Sequence, residues 1–209
     1  ILKNNNFNVP NGKTVSPHKL GEAASEVGYP VALKMISPRL LHKTEAGAVV
    51  LDLKDEEELK LAVEKMRIDV TAYDADAASE LFLVEAMSPN PVAELIVNLR
   101  KDPQFGAALV LGSGGVLVEL MADTATLLLP TSPADIIRAL KSLRVGRLLE
   151  GFRGRPAVDI PKVAEEIYKL CIAYQDHGKT ITEIEINPLF VYRDTVSAID
   201  ALIQVPVDT

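Results

Sequence analysis

Two pairs of apolar runs in this chain are joined by connections too short to hold a helix. Residues 93–99 and 107–111 flank Lys101-Asp-Pro-Gln-Phe-Gly106, a hairpin turn by its Asp, Pro and Gly content. Residues 184–192 and 196–203 meet at Arg193-Asp194-Thr195. Strands joined this closely pair antiparallel. Helical patterns stand between them in mixed order, with no regular strand–helix–strand alternation. The pattern predicts an α+β protein with largely antiparallel sheets, not a doubly wound nucleotide fold.

The helix signals are local. Residues 17–28 read as a short helix stopped by Gly28 and Pro30. Asp55-Glu-Glu-Glu58 opens another with a capping-box pattern, and Leu59, Val63 and Met66 follow at helical spacing. Thr131-Ser132-Pro133 caps a third, running to residue 143, and residues 160–174 form an amphipathic fourth. Further strands are expected at 31–36, 47–53, 81–87, 116–121 and 126–129. Residues 144–156 form a segment rich in Gly and Arg. We place a small lobe at 13–80, a larger one at 81–209, and in 1–12 the remnant of a preceding helix or linker. The start at Ile1, without a Met, reads as that of a piece cut from something longer.

A net charge of -7 argues against nucleic acid or an anionic membrane as the main partner. Small anionic molecules, held by a few placed cations, stay open. The single cysteine, Cys171, lies in an apolar helical pattern and reads as a buried structural thiol. No run approaches the roughly eighteen apolar residues of a membrane span, and no signal peptide is visible. The expected location is the cytoplasm.

Four groups of residues can carry chemistry. Lys34 interrupts the apolar run 31–36, where a lysine is costly without an anionic partner. The loop that follows, His42-Lys-Thr-Glu-Ala-Gly47, suggests phosphate as that partner; a solvated strand face for Lys34 and a plain surface histidine at 42 are the alternatives. Gly112-Ser-Gly-Gly115 leaves the backbone open to close approach by a ligand, or simply turns a hairpin corner. Glu183, Glu185 and Asn187 alternate with apolar residues and share one strand face. A two-residue turn at Arg193-Asp194 sets Asp200 across from Asn187. These oxygens suit a hard cation such as Mg²⁺, or else form an exposed polar face. Glu85 and Glu94, each on an apolar strand, can contact an adenine amino group and a ribose, or can be edge acids.

Taken in order, these pieces resemble one family over nearly the whole chain. The resemblance rests on Gly28-Tyr-Pro-Val-Ala-Leu-Lys34, Ser37-Pro38, His42-Lys-Thr-Glu-Ala-Gly47, Glu94-Leu-Ile96, Asp102-Pro-Gln-Phe-Gly106 and Gly112-x-Gly-Gly115. It continues in Leu149-Glu-Gly-Phe-Arg-Gly-Arg-Pro156 and Glu185-Ile-Asn-Pro-Leu189. The set is similar to the ATP-grasp domain of the ADP-forming acyl-CoA synthetases, relatives of the succinyl-CoA synthetase β subunit.

The resemblance implies a fold that clasps ATP between two lobes. It implies ATP contacts from Lys34, Lys43, Gly47, Glu85, Met87, Glu94, Gly114 and Gly115, with Lys34 at the phosphates, Glu85 on the adenine side and Glu94 at the ribose. Asn187 and Asp200 would hold Mg²⁺ with Glu185 beside them, and His42 would be a covalent phosphoryl carrier. The implied reaction is acyl-CoA + ADP + phosphate ⇌ carboxylate + CoA + ATP. It needs CoA-binding and ligase domains, or an α subunit, as partners. The alternative is a non-catalytic nucleotide-sensing module, as in acetyltransferase-type fusions; His42, Asn187 and Asp200 weigh for the enzyme. The chain departs from the pattern at Ala48, where a second glycine is usual, and at Asn98 and Lys101, where glycine and arginine are common.

Overall fold

A computed structural model describes residues 2–40, 42–115, 123–154, 156–177 and 180–206. The chain divides into two compact units, Pro10–Pro89 and Ile1–Val9 with Asn90–Thr209.

In the Pro10–Pro89 unit the elements are β1 (Gly12–Val15), α1 (Leu20–Val27), β2 (Val31–Met35), β3 (Val49–Leu53), α2 (Glu56–Tyr73) and β4 (Phe82–Ala86). The sheet order is β1-β4-β2-β3 with every neighbouring pair antiparallel. α2 starts as expected: the Asp55 carboxylate accepts from Glu58 N–H at 2.9 Å, and the Glu58 carboxylate accepts from Lys54 N–H at 2.8 Å. Leu59, Ala62, Val63, Met66 and Val70 form its buried stripe, packed with Val31, Leu33, Met35 and Phe82 of the sheet. Each such large side chain stabilises the unit by about 1.5–3 kcal/mol.

The second unit holds β5 (Ala93–Asp102), β6 (Gly106–Ser113), β7 (Thr124–Leu128), α3 (Pro133–Ser142), α4 (Gly146–Leu149), α5 (Ile160–Asp176), β8 (Glu183–Val191), β9 (Val196–Ala198) and β10 (Ala201–Gln204). The strands run in the order β10-β8-β5-β6-β7, with β9 also on β8, again antiparallel throughout. Leu95, Val97, Leu99, Leu109, Leu111, Ile184 and Ile186 share one core with Ile136 and Leu140 of α3 and Val163, Ile167 and Leu170 of α5. Helices therefore cover one face of this sheet. By alternation the other face carries Glu94, Asn98, Glu183, Glu185 and Asn187. The turn at 103–105 forms as expected, with the Asp102 carboxylate accepting from Gln104 and Phe105 N–H at 2.8 and 2.9 Å.

The structure refines the sequence reading at four points. The division falls between Pro89 and Asn90, not at 80/81, because β4 inserts between β1 and β2 in the first sheet. Residues 2–9, expected as part of the remnant of a preceding helix or linker, pack on the second unit: Phe7 lies in its core, and the Asn8 side chain donates to Val196 O at 3.0 Å. The strand expected at 196–203 is broken at residues 199–200 into β9 and β10. Residues 144–156 contain a short helix, α4, anchored by fully buried Leu149. The strand expected at 116–121 lies outside the described residues. Among the described residues no helix is long and apolar enough to cross a membrane.

Candidate functional site

The candidate residues fall into two groups, one in each unit. In Pro10–Pro89, Lys34 sits on β2 at 5% exposure. Its anionic partner is Glu85 of β4, with Nζ and Oε2 2.6 Å apart. A carboxylate of the protein thus meets the need that the sequence assigned to phosphate. β1 makes room for this pair. Gly12 lies opposite Glu85 in the β1–β4 ladder, and a Cβ at residue 12 would stand 2.6 Å from Glu85 Cγ and 2.8 Å from Val84 O. Glycine there lets the Glu85 side chain cross the strand. Sequence reasoning left Gly12 in the supposed remnant, and only the ladder shows what it does.

Met87 follows β4 directly. Its N–H donates to Pro30 O at 3.3 Å, and its sulfur accepts from Asp52 N–H at 3.4 Å. Asp52 has φ 61° in the irregular β2–β3 register.

The loop from His42 to Gly47 is closed by its own backbone. Ala46 N–H donates to His42 O at 3.2 Å, Gly47 N–H to Thr44 O at 3.1 Å and Ala48 N–H to Lys43 O at 2.8 Å. Gly47 has φ 67°, and a Cβ there would sit 2.7 Å from Asp69 Cβ on α2. Ala46 and Ala48 are buried in the core, whereas His42, Thr44 and Glu45 are exposed. The alanine at 48 thus fills core volume and fixes the loop's base, while the imidazole stays in solvent.

In the second unit the Gly114-Gly115 turn lies between Glu94 and Asn187. Gly114 N–H donates to Glu94 O at 2.8 Å, and Gly115 N–H donates to Asn187 Oδ1 at 3.1 Å. A Cβ on Gly114 would come within 2.5 Å of the Leu95 backbone; one on Gly115 would come within 2.0 Å of Glu94 Oε2. Both glycines are required by close approach, here of the protein to itself.

Asn187 and Asp200 face each other. The ladders on either side, Ala198 with Leu189 and Ala201 with Ile186, share one register, and Asn187 N–H donates to Asp200 O at 3.1 Å. Asp200 Oδ1 also accepts from Ala201 N–H at 3.0 Å. Glu185 points to β5 instead, its carboxylate accepting from Asn98 Nδ2 at 2.9 Å. Among the described residues no group of three or more His, Cys, Asp or Glu is placed to hold a metal. One amide oxygen and one carboxylate are nonetheless a fitting donor set for Mg²⁺, which takes one or two carboxylates and fills its shell with phosphates and water.

The ATP-grasp domain family model matches residues 1–205. The chain belongs to the ATP-grasp family. Within this family, the domain is 34% identical over 202 residues to the acetate–CoA ligase [ADP-forming] II subunit beta of Pyrococcus furiosus, covering 95% of this chain and 84% of that one. It superposes with a TM-score of 0.90 and 31% identity on the dinucleotide-forming acetyl-coenzyme A synthetase 1 of Candidatus Korarchaeum cryptofilum, in complex with coenzyme A and Ca-AMPCP, covering 98% and 89% of the two chains. A second structure of that enzyme holds coenzyme A and Mg-AMPPCP, with its phosphohistidine segment pointing towards the nucleotide binding site. There the TM-score is 0.79 at 29% identity, over 98% and 88% of the chains. The ATP-grasp domain described here is therefore of the ADP-forming acyl-CoA ligase type, in the succinyl-CoA synthetase-like superfamily.

Proposed function

We propose that this chain is the nucleotide-binding, phosphoryl-transfer part of an ADP-forming acyl-CoA synthetase, acting in the cytoplasm with an α subunit or equivalent domains that bind CoA and the acyl group. The observation that carries the reading is the solvent-exposed His42 at the head of a loop whose Ala46 and Ala48 are held in the core. Such a base presents a nucleophile while leaving it accessible. The phosphohistidine segment in the Korarchaeum structure supports the same role.

In the direction of ATP use, an imidazole nitrogen of His42 attacks the γ-phosphorus. The N–P bond forms as the P–O bond to ADP breaks, and ADP leaves with the electron pair. The phosphohistidine then passes its phosphoryl group to the partner's chemistry, and the reverse sequence makes ATP from ADP. Lys34 and Lys43 contact the nucleotide phosphates, Glu85 and Met87 the adenine, and Glu94 the ribose, with Gly47, Gly114 and Gly115 lining the approach. Asn187 and Asp200 would hold Mg²⁺, which would supply charge neutralisation for phosphoryl transfer.

The test supplies γ-labelled ATP and the partner subunit and follows label on this chain. An acid-labile, base-stable phosphoprotein is expected in the parent and absent in His42→Ala. Undiminished label in His42→Ala overturns the carrier role.

A further inference from the structure

Asn98 lies on β5, only 7% exposed, directly opposite Glu185 in the β5–β8 ladder. Its amide nitrogen donates to two carboxylates: Glu183 Oε1 at 2.6 Å and Glu185 Oε2 at 2.9 Å. An amide –NH₂ has two hydrogens, so both are engaged. Its Oδ1 is buried and accepts no hydrogen bond among the described residues. An unmet buried acceptor is unfavourable. The orientation persists because turning the amide over would set Oδ1 against two carboxylates. The carboxylates therefore dictate how Asn98 sits, and Asn98 in turn dictates where they point.

Their direction matters because Glu183, Glu185 and Asn187 share one face of β8, with Asp200 across from Asn187. Glu185 is one alternation away from the amide oxygen of Asn187. We infer that Asn98 is a positioning residue that holds Glu185 against β5 and so keeps the neighbouring cation site to one carboxylate and one amide oxygen. A site so limited is weak alone and is completed by nucleotide phosphates; a released Glu185 adds a second carboxylate and makes a site that holds a divalent cation without nucleotide. The inference rests on the reading of Asn187 and Asp200 as the cation-holding pair.

The experiment follows thermal unfolding with Mg²⁺ or Ca²⁺ and no nucleotide. The parent's midpoint is expected to move little. Asn98→Leu removes both donors at similar volume, and its midpoint is expected to rise with either cation, more with Ca²⁺, which accepts more oxygen ligands. Asn98→Ala, smaller and likewise without a donor, is the second variant and should respond in the same way. Adding Glu185→Gln to either should abolish the response, which a merely structural role for Asn98 does not predict. If both variants respond to cations as the parent does, or if the response survives Glu185→Gln, the inference is overturned. Failure of the underlying reading looks different: the cation response then survives Asp200→Asn in the Asn98→Leu background while still vanishing with Glu185→Gln.

Discussion

Asn187 on β8 stands opposite Asp200 in the break between β9 and β10, the Asn187 N–H donating to Asp200 O at 3.1 Å. With the Asn187 amide held by Gly115 at 3.1 Å, their oxygens are set before any ligand arrives. Mg-ATP at about a hundred times its Kd should then stabilise the protein by about 2.7 kcal/mol, a rise in Tm of about 5–10 °C for a chain of this size. Asp200→Asn keeps the shape and removes the charge. The rise should shrink to the small effect of ATP without Mg²⁺, and a thermal scan of the two proteins side by side reads it directly. An unchanged rise would detach Asp200 from the cation.

Gly115 couples that pair to Glu94. Its φ of 64° is strained for any residue with a Cβ, and the added atom would meet Glu94 Oε2 at 2.0 Å. Gly115→Ala should cost about 1–2 kcal/mol from the backbone alone. It should also turn the Glu94 carboxylate aside and weaken ATP binding by about tenfold, near 1.4 kcal/mol. Calorimetric titration with Mg-ATP checks the second effect. Gly106→Ala, with similar φ but nothing within 4 Å of its Cβ, is the control that should show only the first.

The Lys34–Glu85 pair predicts a pattern of stabilities. Breaking a buried ion pair from one side leaves a charge without its partner and costs about 3–5 kcal/mol. Lys34→Met and Glu85→Leu should each show such a loss in urea unfolding. The double variant, apolar on both sides, should recover most of it. A double variant as unstable as the sum of the singles would mean that the two side chains act independently.

These contacts differ in how far local sequence reveals them. The α2 cap and the Asp102 turn were legible because their partners lie within four residues of each other. Asn187 opposite Asp200 was legible too, since a two-residue turn at 193–194 fixes the register of everything beyond it. The break at residues 199–200 was not, because the apolar pattern runs across it. Lys34 announced the need for an anion, but Glu85 lies fifty-one positions away. It becomes the partner only because β4 enters the sheet between β1 and β2. Gly12 and Asn98 share that difficulty. Each matters through the residue opposite it on a strand distant in sequence, and nothing in its own neighbourhood marks it out.

Asp102 predicts part of the acid limb of stability. The N–H groups of Phe105 and Gln104 hold its carboxyl below the usual carboxylate range. A depressed folded-state value favours the folded protein once the unfolded group has ionised, above about pH 3.9, and that contribution fades as pH falls through the lower folded value. The stability difference between parent and Asp102→Asn should therefore be full at pH 6–7 and shrink below about pH 4. Urea midpoints measured across pH 3–7 test this; a difference that stays constant would assign Asp102 a role independent of its charge.

Cys171 shapes the alkaline limb. It is fully enclosed in the α5 core, and burial pushes its thiol up to about 12. An unfolded cysteine ionises near pH 8.5. Between those values the unfolded chain loses a proton that the folded one keeps, so stability falls as pH rises, by up to about 1.4 kcal/mol per pH unit. The same enclosure denies the thiolate form to reagents. Iodoacetamide at pH 9 should leave the native protein unlabelled and modify it fully in denaturant. Cys171→Ala leaves a small cavity and a lower starting stability, so the quantity to compare is the slope. From pH 8.5 to 10 the parent should lose stability more steeply than Cys171→Ala. Equal slopes, or rapid labelling of the folded protein, would show that the α5 core opens around this thiol in the native state.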